Sequence, residues 1–139
     1  MTIASPVSNG VPSSAPAPQV LVVDDEEVVR NLASRILAEA GFRVRQASNG
    51  REALECLLQD GHGIECVVSD VVMPHLNGVR LMEQIARLHP RLPVILMSGY
   101  AAAQLSERGI AAPCSILAKP FTPATLVAEV RRCLQAQAV

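Results

Sequence analysis

Gln19-Val20-Leu21-Val22-Val23-Asp24-Asp25 is the stretch on which the fold turns. An unbroken apolar run reads as a strand buried on both faces, since a half-exposed strand would alternate. It ends abruptly in two acids. The same design recurs along the chain. Cys66-Val67-Val68 runs into Ser69-Asp70, Val94-Ile95-Leu96-Met97 into Ser98, and Ser115-Ile116-Leu117-Ala118 into Lys119-Pro120. A further strand, Phe42 to Ala47, alternates Phe42, Val44 and Gln46 against Arg43 and Arg45, as an edge strand does, and brings no obvious functional group.

Between these runs the apolar spacing becomes helical. Val29, Leu32, Ala33, Ile36, Leu37 and Ala40 predict a helix from Glu26 to Ala40, stopped by Gly41. Ala53, Leu54, Leu57 and Leu58 predict one from about Arg51 to Gln59, with Ser48 or Asn49 as its cap. Leu81, Met82, Ile85 and Leu88 predict a third from Val79 to Leu88, and an Ala-rich stretch predicts a short fourth from Ala101 to Arg108. Leu126, Val127, Val130 and Leu134 predict the last, started by Thr122 or Thr125. Strands alternating with helices imply an α/β fold: a parallel sheet, helices on both faces and right-handed crossovers.

The 139 residues suffice for one domain with a real core. Half of them are apolar but only 2% are aromatic, so that core is built from Val, Leu, Ile, Ala and Met. A net charge of −1 argues against a nucleic-acid surface. No apolar run is long enough to span a bilayer, and no basic start with an apolar core marks a signal peptide. A cytoplasmic protein without membrane insertion is the resulting expectation, with Cys56, Cys66, Cys114 and Cys133 reduced and acting as small hydrophobes. Residues 1–18 are rich in Pro, Ser, Ala and Gly and read as a disordered tail, leaving 19–139 as the domain.

Ligands of such sheets bind beyond the carboxyl ends of the strands, where strand order reverses. Every polar strand end named above lies there. Asp24, Asp25 and Asp70 bring three carboxylates together, and like charges that close raise one another's pKa unless a cation intervenes. Mg²⁺ suits oxygen-only ligands. Lys119 and Ser98 add an ammonium and a hydroxyl, the groups that hold the oxygens of a transferring phosphoryl group. A carboxylate can accept that group, and Asp70 stands alone at the end of a central strand. Each residue also has a plainer reading: Asp24 or Asp25 as a helix cap, Ser98 as a turn residue, Lys119 as a solvated loop lysine. Five of them at the ends of four strands favour the joint site.

With these residues in hand, the chain resembles the receiver domain of two-component response regulators over about Gln19 to Gln135. The motifs are VLVVDDEE with Asp24-Asp25, SDVVMPHLNG with Asp70, Met73, Pro74 and Gly78, ILMSGY with Ser98, and LAKPF with Lys119-Pro120-Phe121. SGY and LAKPFTP are similar to receivers attached to hybrid sensor kinases. The resemblance implies a flavodoxin-like, doubly wound (βα)₅ fold with strand order 2-1-3-4-5. It implies Asp70 as phosphoacceptor, and Mg²⁺ held by Asp24, Asp25, Asp70 and the backbone carbonyl of Val72. It makes Ser98 the switch hydroxyl, Lys119 the partner of a phosphoryl oxygen, and Lys119–Pro120 a cis bond. The donor is then a phosphohistidine on a sensor histidine kinase or a histidine phosphotransfer protein.

Departures from the family matter too. Ile116 stands where many receivers carry an aromatic that swings inward, and the 101–114 segment is short. Val72 and Tyr100 flank the site without a group to orient water, which predicts a long-lived aspartyl phosphate. The chain is expected to be a stand-alone signalling module rather than an enzyme, since it stops soon after the last helix. Output then comes through another protein, as a phosphorelay intermediate, phosphate sink or diffusible partner. A homodimer through the switch face is compatible with the sequence and unsupported by it. The alternative is a receiver fold used for phosphate-independent docking or dimerisation. An aspartyl phosphatase fits poorly, because such enzymes carry D-x-D where this chain has adjacent acids.

Overall fold

The computed structural model describes residues 17–60, 63–71, 78–99 and 115–138. The described elements are β1 (Gln19–Val23), α1 (Glu27–Glu39), β2 (Arg43–Ala47), α2 (Gly50–Asp60), β3 (Ile64–Asp70), α3 (Gly78–Leu88), β4 (Val94–Ser98), β5 (Ser115–Ala118) and α4 (Pro123–Ala138). The strands form one parallel sheet in the order β2-β1-β3-β4-β5. The expected fold class and strand order therefore hold. The helix expected at 101–108 lies outside the described residues, as does the expected tail up to residue 16.

Strand geometry explains why the runs are apolar throughout. Successive side chains of β1 point to opposite faces. Val20 and Val22 join Val68, Ile95 and Met97 under Ala33 and Leu37 of α1 and Leu126 and Val130 of α4. Leu21 and Val23 join Val67 and Leu96 under Ala53 and Leu57 of α2 and Leu81 and Ile85 of α3. Both faces are covered, so neither can alternate. Each fully buried Val or Leu is worth about 1.5–3 kcal/mol, and this aliphatic sheet supports the charged edge described below.

The helix ends follow local chemistry. Asn49 Oδ1 accepts the Glu52 N–H at 2.8 Å, so Asn49 caps α2, while Glu52 takes the Ser48 N–H at 2.8 Å. Thr122, rather than Thr125, caps α4 by accepting the Thr125 N–H at 3.1 Å. α1 ends at Gly41, whose φ of 102° suits glycine. There Phe42 N–H reaches Leu37 O and Gly41 N–H reaches Ala38 O, both at 3.1 Å, which is a Schellman closure.

Three expectations on packing need correction. Leu32, Leu58 and Leu88 share helical spacing with core residues but are exposed, 51%, 73% and 52%. Helical spacing marks an apolar stripe but not how much of it the sheet covers. The expectation of four reduced thiols fails at Cys133, which is buried and disulfide-bonded. Cys56 and Cys66 are free and buried, and burial pushes the Cys66 thiol up to about 12, which makes it inert. No described helix is long and apolar enough to cross a membrane.

Candidate functional site

Strand register sets the site. Asp70 is the last residue of β3 and pairs with Met97, so Ser98 stands one step beyond it on β4. The Val71 N–H donates to Met97 O at 3.1 Å, continuing the ladder past Asp70. Ser98 pairs with Ala118, and the Lys119 N–H donates to Ser98 O at 3.0 Å. The Lys119–Pro120 bond is cis, as expected. On the other side of β3, β1 delivers Asp24 and Asp25.

The five site residues do converge on one edge of the sheet. A carboxylate oxygen from each of Asp24, Asp25 and Asp70 lies within 4.8 Å of the others. Asp24 and Asp70 are buried and Asp25 is exposed. The Lys119 Nζ stands 3.1 Å from Asp70 Oδ1 and 3.5 Å from Asp24 Oδ2. Lys119 is thus an ion-pair bridge between two buried acids, and the reading of it as a solvated loop lysine falls. Ser98 is buried at the same edge. Ile116 is half-buried against the α2–α3 core cluster, and Pro120 is exposed. Val72 and Tyr100, expected beside the site, lie outside the described residues.

Charge decides what such a cluster can hold. Three acids face one ammonium. Burial, and then the nearby Asp70 carboxylate, raises the Asp24 pKa, while the Glu26 N–H works the other way. Burial alone would lower the Lys119 pKa; the carboxylates of Asp70 and Asp24 outweigh it and hold the ammonium above its ordinary value. Asp24 Oδ2 differs from Oδ1, which accepts the Glu26 N–H. It is shielded from solvent and receives no hydrogen bond, because 3.5 Å from Lys119 is too long for a good one. A buried, unsatisfied carboxylate oxygen among further hard oxygens is the donor set of a small divalent cation. The residues present therefore fit a small divalent cation such as Mg²⁺, which Asp24, Asp25 and Asp70 would hold.

The capping alternative for Asp24 is half true. Its Oδ1 accepts the Glu26 N–H at 2.9 Å, but Glu26 itself occupies the cap position of α1, with no side-chain cap bond. Three residues escape the sequence reading. Arg30 donates through Nη1 to Asp24 O at 2.8 Å and through Nε to Gln46 Oε1 at 3.1 Å. The edge strand, which shows no obvious functional group in the sequence, brings Gln46 and the Ala47 carbonyl, which accepts the Asp24 N–H at 3.2 Å. One signal was available: a cation in the first turns of a helix opposes the helix dipole and needs another reason to be there.

Comparison with known proteins agrees with this architecture. The response regulator receiver domain family matches residues 20–131. The sensor kinase CckA of Brucella abortus is 38% identical over 119 residues, 85% of this chain and 13% of the relative. The C4-dicarboxylate transport regulator DctD of Rhizobium meliloti is 36% identical over 117 residues, 84% of this chain and 25% of the relative. The chain thus spans a quarter or less of these two relatives' length. Among solved structures, a receiver protein from Sinorhizobium medicae superposes with a TM-score of 0.77 at 33% identity, over 87% of this chain and 97% of that one. The receiver domain of the hybrid histidine kinase CckA gives 0.71 at 32% identity, over 84% and 99%. With its parallel sheet, its acidic strand ends and these matches, the chain belongs to the response regulator receiver domain family of two-component systems.

Proposed function

We propose that this receiver accepts a phosphoryl group on Asp70 from a phosphohistidine of a sensor kinase or a phosphotransfer protein. The observation that supports this best is the Lys119 ammonium held between Asp70 and the unsatisfied Oδ2 of Asp24. An Asp70 oxygen attacks phosphorus in line. The new P–O bond forms as the P–N bond breaks, and the electron pair leaves on the imidazole nitrogen. The Lys119 ammonium and the Ser98 hydroxyl take phosphoryl oxygens as charge builds on them. Asp24, Asp25 and Asp70, with the Val72 carbonyl, would hold Mg²⁺, whose contribution is to neutralise phosphoryl charge. Ser98 then draws toward the new charge and biases the face near Ile116 and Pro120.

The residue types two positions beyond Asp70 and Ser98, Val72 and Tyr100, support a long-lived modified protein. Output is through another protein, and the chain acts in the cytoplasm as a module that catalyses only its own Mg²⁺-dependent phosphorylation and dephosphorylation. Incubation with acetyl phosphate and Mg²⁺, followed by intact-mass measurement, tests the reading. A single 80 Da adduct (roughly one phosphoryl group) is expected. It should be absent in Asp70→Ala and persist for many minutes after the donor is removed. Equal labelling of Asp70→Ala would sink the assignment, and decay within seconds would sink the long lifetime.

A further inference from the structure

Asp24 has four polar groups, and three are committed. Its N–H donates to Ala47 O, its carbonyl accepts from Arg30 Nη1, and its Oδ1 accepts from the Glu26 N–H. Only Oδ2 remains to face the site. The bond to Ala47 O continues the β1–β2 ladder, and the bond from Glu26 is a local turn at the strand's end. The Arg30 bond is of neither kind: Arg30 reaches back six residues from α1, and its Nε reaches Gln46 on β2. One planar guanidinium, with donors in a fixed fork, thereby ties the acidic loop to the edge strand.

We infer that Arg30 is a positioning residue for the metal. It fixes the peptide plane between Asp24 and Asp25, and so sets the direction in which both carboxylates meet Asp70. It touches no reacting atom. This rests on the reading of Asp24, Asp25 and Asp70 as Mg²⁺ ligands. The charge of Arg30 makes the inference sharp, because the two roles it could play have opposite signs. A half-buried cation beside a cation site repels the metal, so if Arg30 acted through charge alone, removing it would tighten binding. If it acts by holding the loop, removing it weakens binding. Groups that orient metal ligands typically cost roughly ten- to a hundredfold in affinity when lost.

The experiment is Mn²⁺ titration of the full chain, followed by electron paramagnetic resonance of the free ion. Arg30→Met keeps the apolar stem and loses both bonds; its Kd should rise roughly tenfold or more. Arg30→Lys keeps the charge and can reach one partner only, so its Kd should fall between those of Arg30→Met and wild type. Arg35→Met removes the same charge from the same helix, where Arg35 pairs with Glu39, and should bind as wild type does. Phosphorylation by acetyl phosphate should recover in Arg30→Met at saturating Mg²⁺, showing a change in metal requirement rather than in maximal rate. Should Arg30→Met fail to fold, Gln46→Leu removes one arm of the clamp and should weaken Mn²⁺ a few-fold. Unchanged or tighter binding in the folded Arg30 variant, or in Gln46→Leu where it stands in, overturns the inference while leaving the site intact. A wild-type protein with no saturable Mn²⁺ binding overturns the metal reading itself.

Discussion

The two ends of α1 are built on opposite terms. At its C-terminus the chain closes on itself: Gly41 takes a positive φ, Phe42 bonds back to Leu37, and Arg131 of α4 lies 5.9 Å over the Phe42 ring and donates to Ala40 O. Everything there lowers free energy. At the N-terminus, Glu26 caps without a side-chain bond, and the loop before it packs a buried acid against further acids, with one oxygen unsatisfied. That arrangement costs stability in the metal-free protein. One 13-residue helix thus joins an end that holds the fold to an end that the fold must hold. Strain of this kind is expected where a protein keeps a site ready for a ligand.

The largest test of this contrast is Asp24→Asn. Mg²⁺ binding should be lost, yet the metal-free protein should gain stability, because a buried charge near like charges is removed. The sign follows from the raised Asp24 pKa. The folded state favours the neutral acid, so its contribution is complete below about the ordinary carboxylate value of 3.9 and is lost as pH rises through the folded pKa. Urea denaturation of the metal-free wild type minus that of Asp24→Asn should therefore show stability falling with rising pH across that window. Glu52 and Glu129, whose pKa values are lowered, cancel in the subtraction. A flat difference would mean that the acidic end carries no cost. Next in size is Gly41→Ala, which forces a Cβ into a left-handed conformation and should cost roughly 1–2 kcal/mol. Its Mn²⁺ affinity should stay at the wild-type value; a shift there would show that the two ends are coupled. Smallest is Glu39→Gln, which breaks the exposed pair with Arg35 at 3.3 Å. A change of about 0.3–0.5 kcal/mol and none in metal binding is expected.

The same contrast explains what could be read from the chain. The sheet was legible because burial on both faces forces continuous apolar strands, and the topology rule then placed Asp24, Asp70, Ser98 and Lys119 on one edge. The Schellman end was legible at Gly41 because the constraint is local. Leu32 and Leu58 misled because helical spacing marks a stripe but not its width; that depends on how far each helix lies from the sheet. Arg30 was missed for a different reason. Its two partners are the backbone oxygen of Asp24 and the Gln46 side chain, 16 positions away on the edge strand. A carbonyl carries no sequence signature, and a pairing across a parallel crossover has no fixed spacing.

Lys119, wedged between Asp24 and Asp70, has a consequence that lies in the bench chemistry of the protein. It is the sole lysine in the chain; the other eleven basic residues are arginines, twelve together. Apart from the terminal amine, every reagent that seeks a primary amine must find the centre or find nothing. Reductive ¹³C-methylation would install a single ε-amine signal, and that signal would sit beside the carboxylates themselves. Acylation of the ε-amine would remove the charge that bridges Asp24 and Asp70. The protein thus carries its own spectroscopic reporter between two buried carboxylates.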